Sequence, residues 1–119
     1  MNTKINHRRV LMGKLHEIEN LPGNWDEKGA SRASARAVGQ YKGFLDLVTE
    51  HKLEYAPQLQ SDGSILVQWT GRLNSASATF TIHFLVNGGI QLGLNGALSD
   101  TIPSSEERDR LRDFIYAAG

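Results

Sequence analysis

The side chains best suited to metal binding or acid–base chemistry are four histidines, His7, His16, His51 and His83. No two of them have the spacing of helical zinc ligands, and the chain contains no cysteine. His7 and His16 are nine residues apart, so a helix would point them about 180° apart. We therefore expect no metal and no cofactor. We expect His83 to be a partly exposed strand histidine, with a general base as the alternative.

Nucleophile and phosphate-binding signatures are missing from the sequence. No serine lies in a G-x-S-x-G or S-x-x-K motif, and the glycine-rich residues 87–96 match neither G-x-G-x-x-G nor a phosphate-binding loop. Asp26 or Glu27 could form a carboxylate pair with Asp62, but nothing in the sequence indicates that they meet, and Asp62 fits a turn. The sequence thus predicts a protein that is not an enzyme.

A tryptophan in a polar, glycine-flanked segment is the most distinctive local feature. Residues 21–30 contain Trp25 and Asp26 between Gly23 and Gly29. A large aromatic side chain in a loop can anchor a partner, because such side chains concentrate binding energy. Alternatively, Asp26 accepts backbone amides of the turn and the indole folds back on its own chain, which we favour.

Charge is balanced over the whole chain but not along it. There are 13 basic and 13 acidic residues, yet residues 1–42 hold eight basic and four acidic side chains. This polarity would let one face attract an anionic partner, since local potential steers association, but we favour two solvated helix faces as the explanation. A weak nucleic-acid binder is therefore an alternative, with phosphate contacts from Lys4, Arg8, Arg9, Lys14, Arg32 and Arg36.

Three helices are predicted because apolar residues recur about every 3.6 residues in three segments. The first covers residues 5–20, with a stripe of Ile5, Val10, Leu11, Leu15 and Ile18, and ends at Pro22-Gly23. The second covers residues 34–51 and is capped by Ser31 or Ser34; it contains Gly39 and Gly43, which could admit another backbone. The third follows a capping box of Ser104 and Glu107 and buries Leu111, Phe114, Ile115 and Ala118.

Between the second and third predicted helices, apolar and polar residues alternate with a period of two, which is typical of strands. Residues 65–70, 78–86 and 90–94 alternate, with turns at Asp62-Gly63 and Asn87-Gly88-Gly89 and a loop at residues 71–77. Short connections make the strands antiparallel, and residues 78–86 should be the central strand. We expect a single α+β domain over residues 1–119, with three to four strands and the helices packed on one face.

No membrane segment or leader is predicted. The longest apolar run, residues 114–118, is far shorter than the roughly 20 residues that cross a bilayer. We therefore expect a cytoplasmic protein.

Several short motifs together resemble a known pattern. Asn24-Trp25-Asp26 with Gly29-Ala30, a following helix, Pro57, Asp62-Gly63 and Val67-Gln68-Trp69 are similar to a group of small uncharacterised bacterial and phage-associated proteins. That group carries a WDG-x-GA loop, a helix and a P…DG…W hairpin, and the resemblance covers about residues 10–95. It differs here at Glu27-Lys28 and Ser31-Arg32. The resemblance implies no reaction and suggests accessory or host-interaction roles.

These observations favour a protein-binding module, such as an inhibitor or accessory factor of a phage or mobile element. The predicted partner-binding residues are Trp25, Asp26, Arg32 and Arg36. The alternatives are the nucleic-acid binder and a small hydrolase or ligand-binding domain around His83 and Asp26. Exposed strand edges could also support a homodimer.

Overall fold

The chain folds into an antiparallel sheet with helices on one face. The computed structural model describes residues 3–25, 28–51, 55 and 57–117, with side chains for residues 9–25, 28–45, 55 and 57–116. Within these ranges the strand order is β1-β2-β3-β4-β5. The elements are α1 (Thr3–Glu19), α2 (Ala35–His51), β1 (Gln58–Leu59), β2 (Ile65–Leu73), β3 (Ala76–Phe84), β4 (Ile90–Leu94), β5 (Ala97–Leu98), a 3₁₀ turn (Ser104–Glu106) and α3 (Glu107–Ala117).

The alternating residues of the strands form the core. Ile65 pairs with Phe84, Val67 with Ile82 and Trp69 with Phe80, and all six side chains are buried. Because side chains alternate along a strand, these pairs share one face of the sheet. The predicted α+β class, the antiparallel sheet and the central position of β3 are confirmed.

Aromatic rings join the helices to the sheet. Phe44 of α2 lies 5.8 Å from Phe84 and 6.5 Å from Trp69 between ring centroids. Phe114 of α3 meets Trp69 and Phe80 edge-on at 5.8 and 5.3 Å, so the C-terminal helix packs on the sheet as predicted. Helix α1 packs against α2.

The buried stripe of α1 is narrower than the sequence predicts. Leu11, Leu15 and Ile18 are buried, whereas Val10 is 56% exposed. Val10 precedes Leu11 by one residue and so projects about 100° away from it around the helix. The side chain of Ile5 is not among those that the structure describes.

Two expectations about the strands are wrong, and both errors come from turns. Residues 71–77 are not a loop, because β2 continues to Leu73 and β3 begins at Ala76. Asn74 and Ser75 have φ of 52° and 68°, the positive values of a two-residue hairpin turn. The sheet also has a fifth strand, β5, which follows a similar turn at Asn95-Gly96.

The ends of α2 and α3 are fixed differently from each other. Ser34 caps α2, with its Oγ accepting from the Ala37 amide at 3.3 Å, which confirms one of the two predicted caps. The predicted capping box does not form, because a 3₁₀ turn after Pro103 precedes α3 and no side chain caps that turn. Instead, Oε1 of Glu107 accepts from Nε2 of Gln40 at 3.1 Å.

Among the described helices, none has the length and apolar character to cross a membrane.

Replacing Gly39 or Gly43 by alanine should stabilise the protein. A Cβ built at either position has nothing within 4 Å, so no described backbone approaches α2 there. Alanine removes the helix penalty of glycine, and we expect about 0.5–1 kcal/mol per substitution. Thermal unfolding of the two single variants measures this. A fall in melting temperature would mean that something does lie against these glycines.

Candidate functional site

The loop between α1 and α2 is fastened across one end of the sheet, where the β1–β2 and β3–β4 turns lie. The Ser31 amide donates to the Ser61 carbonyl at 2.7 Å, and the Ser34 amide donates to the Gly63 carbonyl at 2.8 Å. The Ser34 hydroxyl donates to the Val86 carbonyl at 2.7 Å. These bonds hold residues 31–34 of the loop against both turns.

Trp25 lies in this loop and is half-buried. Its Nε1 donates to the Ser31 carbonyl at 3.0 Å, so the polar end of the indole is bound within its own loop. Asn24, with φ of 62°, closes the loop: its amide donates to the Ala30 carbonyl and its Oδ1 accepts from the Gly29 amide, both at 2.6 Å. Asp26, predicted to act beside Trp25, lies outside the described residues.

Arg32 and Arg36 extend the same surface. Both side chains are exposed, and within the described part of the chain neither guanidinium has a carboxylate partner. Arg32 directly follows the residue that accepts from Trp25, and Arg36 lies in the first turn of α2. The structure thus places Trp25, Arg32 and Arg36 on one loop and the helix it leads into. We call these three residues the loop surface.

The basic residues of α1 lie apart from the loop surface. Arg9 is exposed and Lys14 is half-buried, while the side chains of Lys4 and Arg8 are outside the described set. Glu19, at the end of α1, pairs with Lys42 of α2 at 3.5 Å. With a rise of 1.5 Å per residue, Lys14 and Arg9 lie about 8 and 15 Å back along α1. Arg9 and Lys14 therefore lie progressively farther from the point where the end of α1 pairs with α2.

A chain of polar contacts links the β1–β2 turn to the sheet face opposite the aromatic core. Oδ1 of Asp62 accepts from the Ser64 hydroxyl at 2.6 Å and from the Ser64 amide at 2.9 Å. Nε2 of His83 lies 2.8 Å from Oγ of Ser64, and its Nδ1 lies 3.4 Å from Oε1 of Gln91. We call these four residues the Ser64 network.

The hydrogen bonds of the Ser64 hydroxyl run in the opposite direction to those of an activated serine. The Ser64 hydroxyl donates its only proton to Asp62, so Oγ accepts from Nε2 of His83, whereas a nucleophilic serine donates to the imidazole. Ser64 has no exposed surface. The Ser64 hydrogen bond lowers the pKa of Asp62 against the opposing effect of partial burial, and His83 contributes further lowering. The bonds between Asp62 and Ser64 stabilise the β1–β2 turn.

The sequence prediction missed the Ser64 network. It set His83 with Asp26, whereas the described partners of His83 are Ser64 and Gln91. Ser64 immediately precedes β2 on the same face as Leu66, which pairs with His83. The alternation of side chains along β2 could have placed Ser64 on the same face as Leu66, but it could not have predicted that Leu66 pairs with His83. Among the described residues, no three His, Asp or Glu side chains group closely enough to hold a metal ion.

Comparison with known proteins adds no relative. No protein-family model matches the chain, and no curated protein or solved structure is significantly similar to it. The resemblance to the WDG-x-GA group therefore stays a prediction.

Proposed function

We propose that the chain is a non-catalytic protein-binding module that contacts an acidic partner through the loop surface. The observation that carries this proposal is a pair of exposed arginines without carboxylate partners in the described chain. Arg32 lies on a loop held by hydrogen bonds at both turns, and Arg36 lies in the first turn of the helix that follows. Arginine is enriched among the residues that dominate binding energy at interfaces.

The fastening of the loop supports a binding role. Ordering a flexible loop on association costs binding free energy, and a loop already held in one conformation avoids much of that cost. Three bonds from Ser31 and Ser34 and the closure by Asn24 supply this order before any partner arrives. The exposed part of Trp25 adds apolar area in the loop that carries Arg32, and aromatic residues and arginine are both enriched at interfaces.

The resemblance to phage-associated proteins bears on the biological role. It supports an inhibitor or accessory factor of a phage or mobile element, acting on a host complex. In that role the partner would be a host protein with an acidic surface, and complementary charge would speed the encounter.

Removing both arginines of the loop surface should abolish partner capture. The double variant Arg32→Ala/Arg36→Ala is compared with wild-type protein as bait in nuclease-treated host lysate, followed by mass spectrometry. We expect at least one acidic protein to be retained by wild type and its capture to fall about tenfold or more with the variant, which corresponds to a combined loss of about 1.4 kcal/mol of binding free energy. The melting temperature should stay unchanged, because both side chains are exposed.

The matched control is Arg110→Ala/Arg112→Ala on α3. These arginines are 47% and 48% exposed and form surface ion pairs with Glu106 and Asp109, so their loss removes the same charge at little cost in stability. Retention of the same proteins by the loop variant would refute the proposal. Capture that disappears on nuclease treatment would favour the nucleic-acid alternative instead.

A further inference from the structure

A groove runs between α2 and the segment that leads into α3. Its wider part is a cavity of about 590 Å³ that includes Arg36, Gln40 and Glu107. Its narrower part is a cavity of about 260 Å³ that includes Gly43, Phe44 and Leu111. Gln40, Ser104 and Glu107 line both parts, so the groove is continuous.

The groove presents three kinds of chemistry in order along α2. Arg36 supplies a positive charge at the start of α2. One turn further along the helix, Gln40 donates a hydrogen bond to the carboxylate of Glu107, which supplies a negative charge. Gly43 and Phe44 lie one more turn along. Each step of four residues is about 6 Å. At the far end Phe44 and Leu111 supply an apolar floor, and the exposed Arg108 lies at the rim.

Of the two charged groups that line the wider cavity, the carboxylate of Glu107 is held in place by a hydrogen bond. Within the described chain, neither Arg36 nor Glu107 has an oppositely charged partner within 4.0 Å. Nε2 of Gln40 donates to the Gly88 carbonyl at 2.8 Å and to Oε1 of Glu107 at 3.1 Å, which positions the carboxylate and leaves its second oxygen open. A ligand that carries both charges would satisfy both residues without competing with an internal ion pair.

We propose that this groove binds a free α-amino acid with a large apolar side chain. The ligand carboxylate pairs with Arg36, its ammonium group pairs with Glu107, and its side chain enters the narrow cavity above Phe44 and Leu111. That cavity is smaller than the roughly 300–1,000 Å³ of sites for drug-sized ligands and suits one large side chain. Glycine at position 43 leaves the cavity wall without a Cβ, and a Cβ built there meets nothing within 4 Å.

The proposal is tested by ¹H–¹⁵N NMR titration of the full chain with L-phenylalanine. Saturable shifts are expected at the amides of Gly39, Gly43 and Gly88, which line the groove. N-acetyl-L-phenylalanine lacks the ammonium charge and L-phenylalanine amide lacks the carboxylate, so each should bind about tenfold more weakly, as expected for a lost bond between charged groups. Glycine, which has no side chain, should give no saturable shift.

Variants then assign each charge. Arg36→Gln should bind L-phenylalanine about tenfold more weakly and no longer prefer it over the amide, whereas Glu107→Gln should lose the preference over the N-acetyl form. Arg110→Gln, on the same helix as Glu107 but outside the groove, should bind like wild type. No saturable shift at these glycines, or equal affinity for all three phenylalanine compounds, would overturn the proposal.

This inference stands apart from the protein-binding proposal although Arg36 serves in both. Arg32 lines neither part of the groove. Arg32→Ala should therefore weaken partner capture and leave amino-acid binding intact, while Glu107→Gln should do the reverse. Each proposal can thus fail without the other.

Discussion

Replacing Gly63 by alanine is expected to destabilise the protein by about 3 kcal/mol, the sum of a backbone penalty and lost hydrogen bonds. Gly63 has φ of +92°, where an L-residue is strained. A Cβ built there lies 2.5 Å from the carbonyl oxygen of Arg32 and 3.5 Å from the amide nitrogen of Ser34. These are backbone atoms, so the α1–α2 loop itself must move. Moving it breaks the bonds that Ser31 and Ser34 donate to this turn.

Gly96→Ala provides a closely matched control. Gly96 also has φ of +92°, but a Cβ built there meets nothing within 4 Å. It should therefore show only the backbone penalty, about 1–2 kcal/mol. Urea unfolding of both variants gives the difference, which isolates the contact between the loop and the β1–β2 turn. Equal destabilisation would mean that the loop is not held against this turn.

The same substitution connects stability to the loop surface. A loop released from the turn loses the order that holds Trp25 and Arg32 in place. Gly63→Ala should thus weaken partner capture even under conditions in which the variant remains folded, while Gly96→Ala should not. This expectation rests on the proposed function and separates loop order from overall folding.

The helices and the central strand could be predicted because their signals are local. The spacing of Leu11, Leu15 and Ile18, and the alternation along β3, depend only on neighbouring residues. The boundaries at residues 71–77 could not be predicted as easily, since Asn74-Ser75 is a weaker turn signal than Asn-Gly. The strand after Asn95-Gly96 was missed although that dipeptide is a strong hairpin signal.

The site depends on contacts that a single sequence does not encode locally. Glu107 fits a capping box in sequence, but the docking of α3 beside α2 brings it to Gln40, and a tertiary bond replaces the local one. The approach of Ser31 and Ser34 to the turn at Gly63 joins segments about thirty residues apart. The groove exists only because these helices pack as they do, so neither its charges nor its apolar end could be recognised from spacing.

Ser64→Ala should lower stability by about 2 kcal/mol, the range for hydrogen bonds to charged groups. The Ser64 hydroxyl has no contact with solvent and joins Asp62 to His83. Alanine removes both bonds and leaves Nε2 of His83 without its described partner, so part of the cost is an unsatisfied polar group. Urea unfolding near neutral pH measures the loss. Ser99→Ala should cost less, about 1 kcal/mol, because the described bonds of its hydroxyl join the uncharged Leu92 amide and Asp100 carbonyl.

The pH dependence distinguishes the Ser64 network from simple packing. Because the folded-state pKa of Asp62 lies below its ordinary value of 3.8, Asp62 contributes stability that is present above that value and is lost as the pH falls through the folded pKa. The Ser64 hydroxyl is the main cause of this lowering, so Ser64→Ala should show a shallower loss of stability in acid than wild type. Ser99→Ala should keep the wild-type slope. An unchanged slope in Ser64→Ala would mean that the hydroxyl does not hold the Asp62 carboxylate, and the turn would then be braced by its backbone bonds alone.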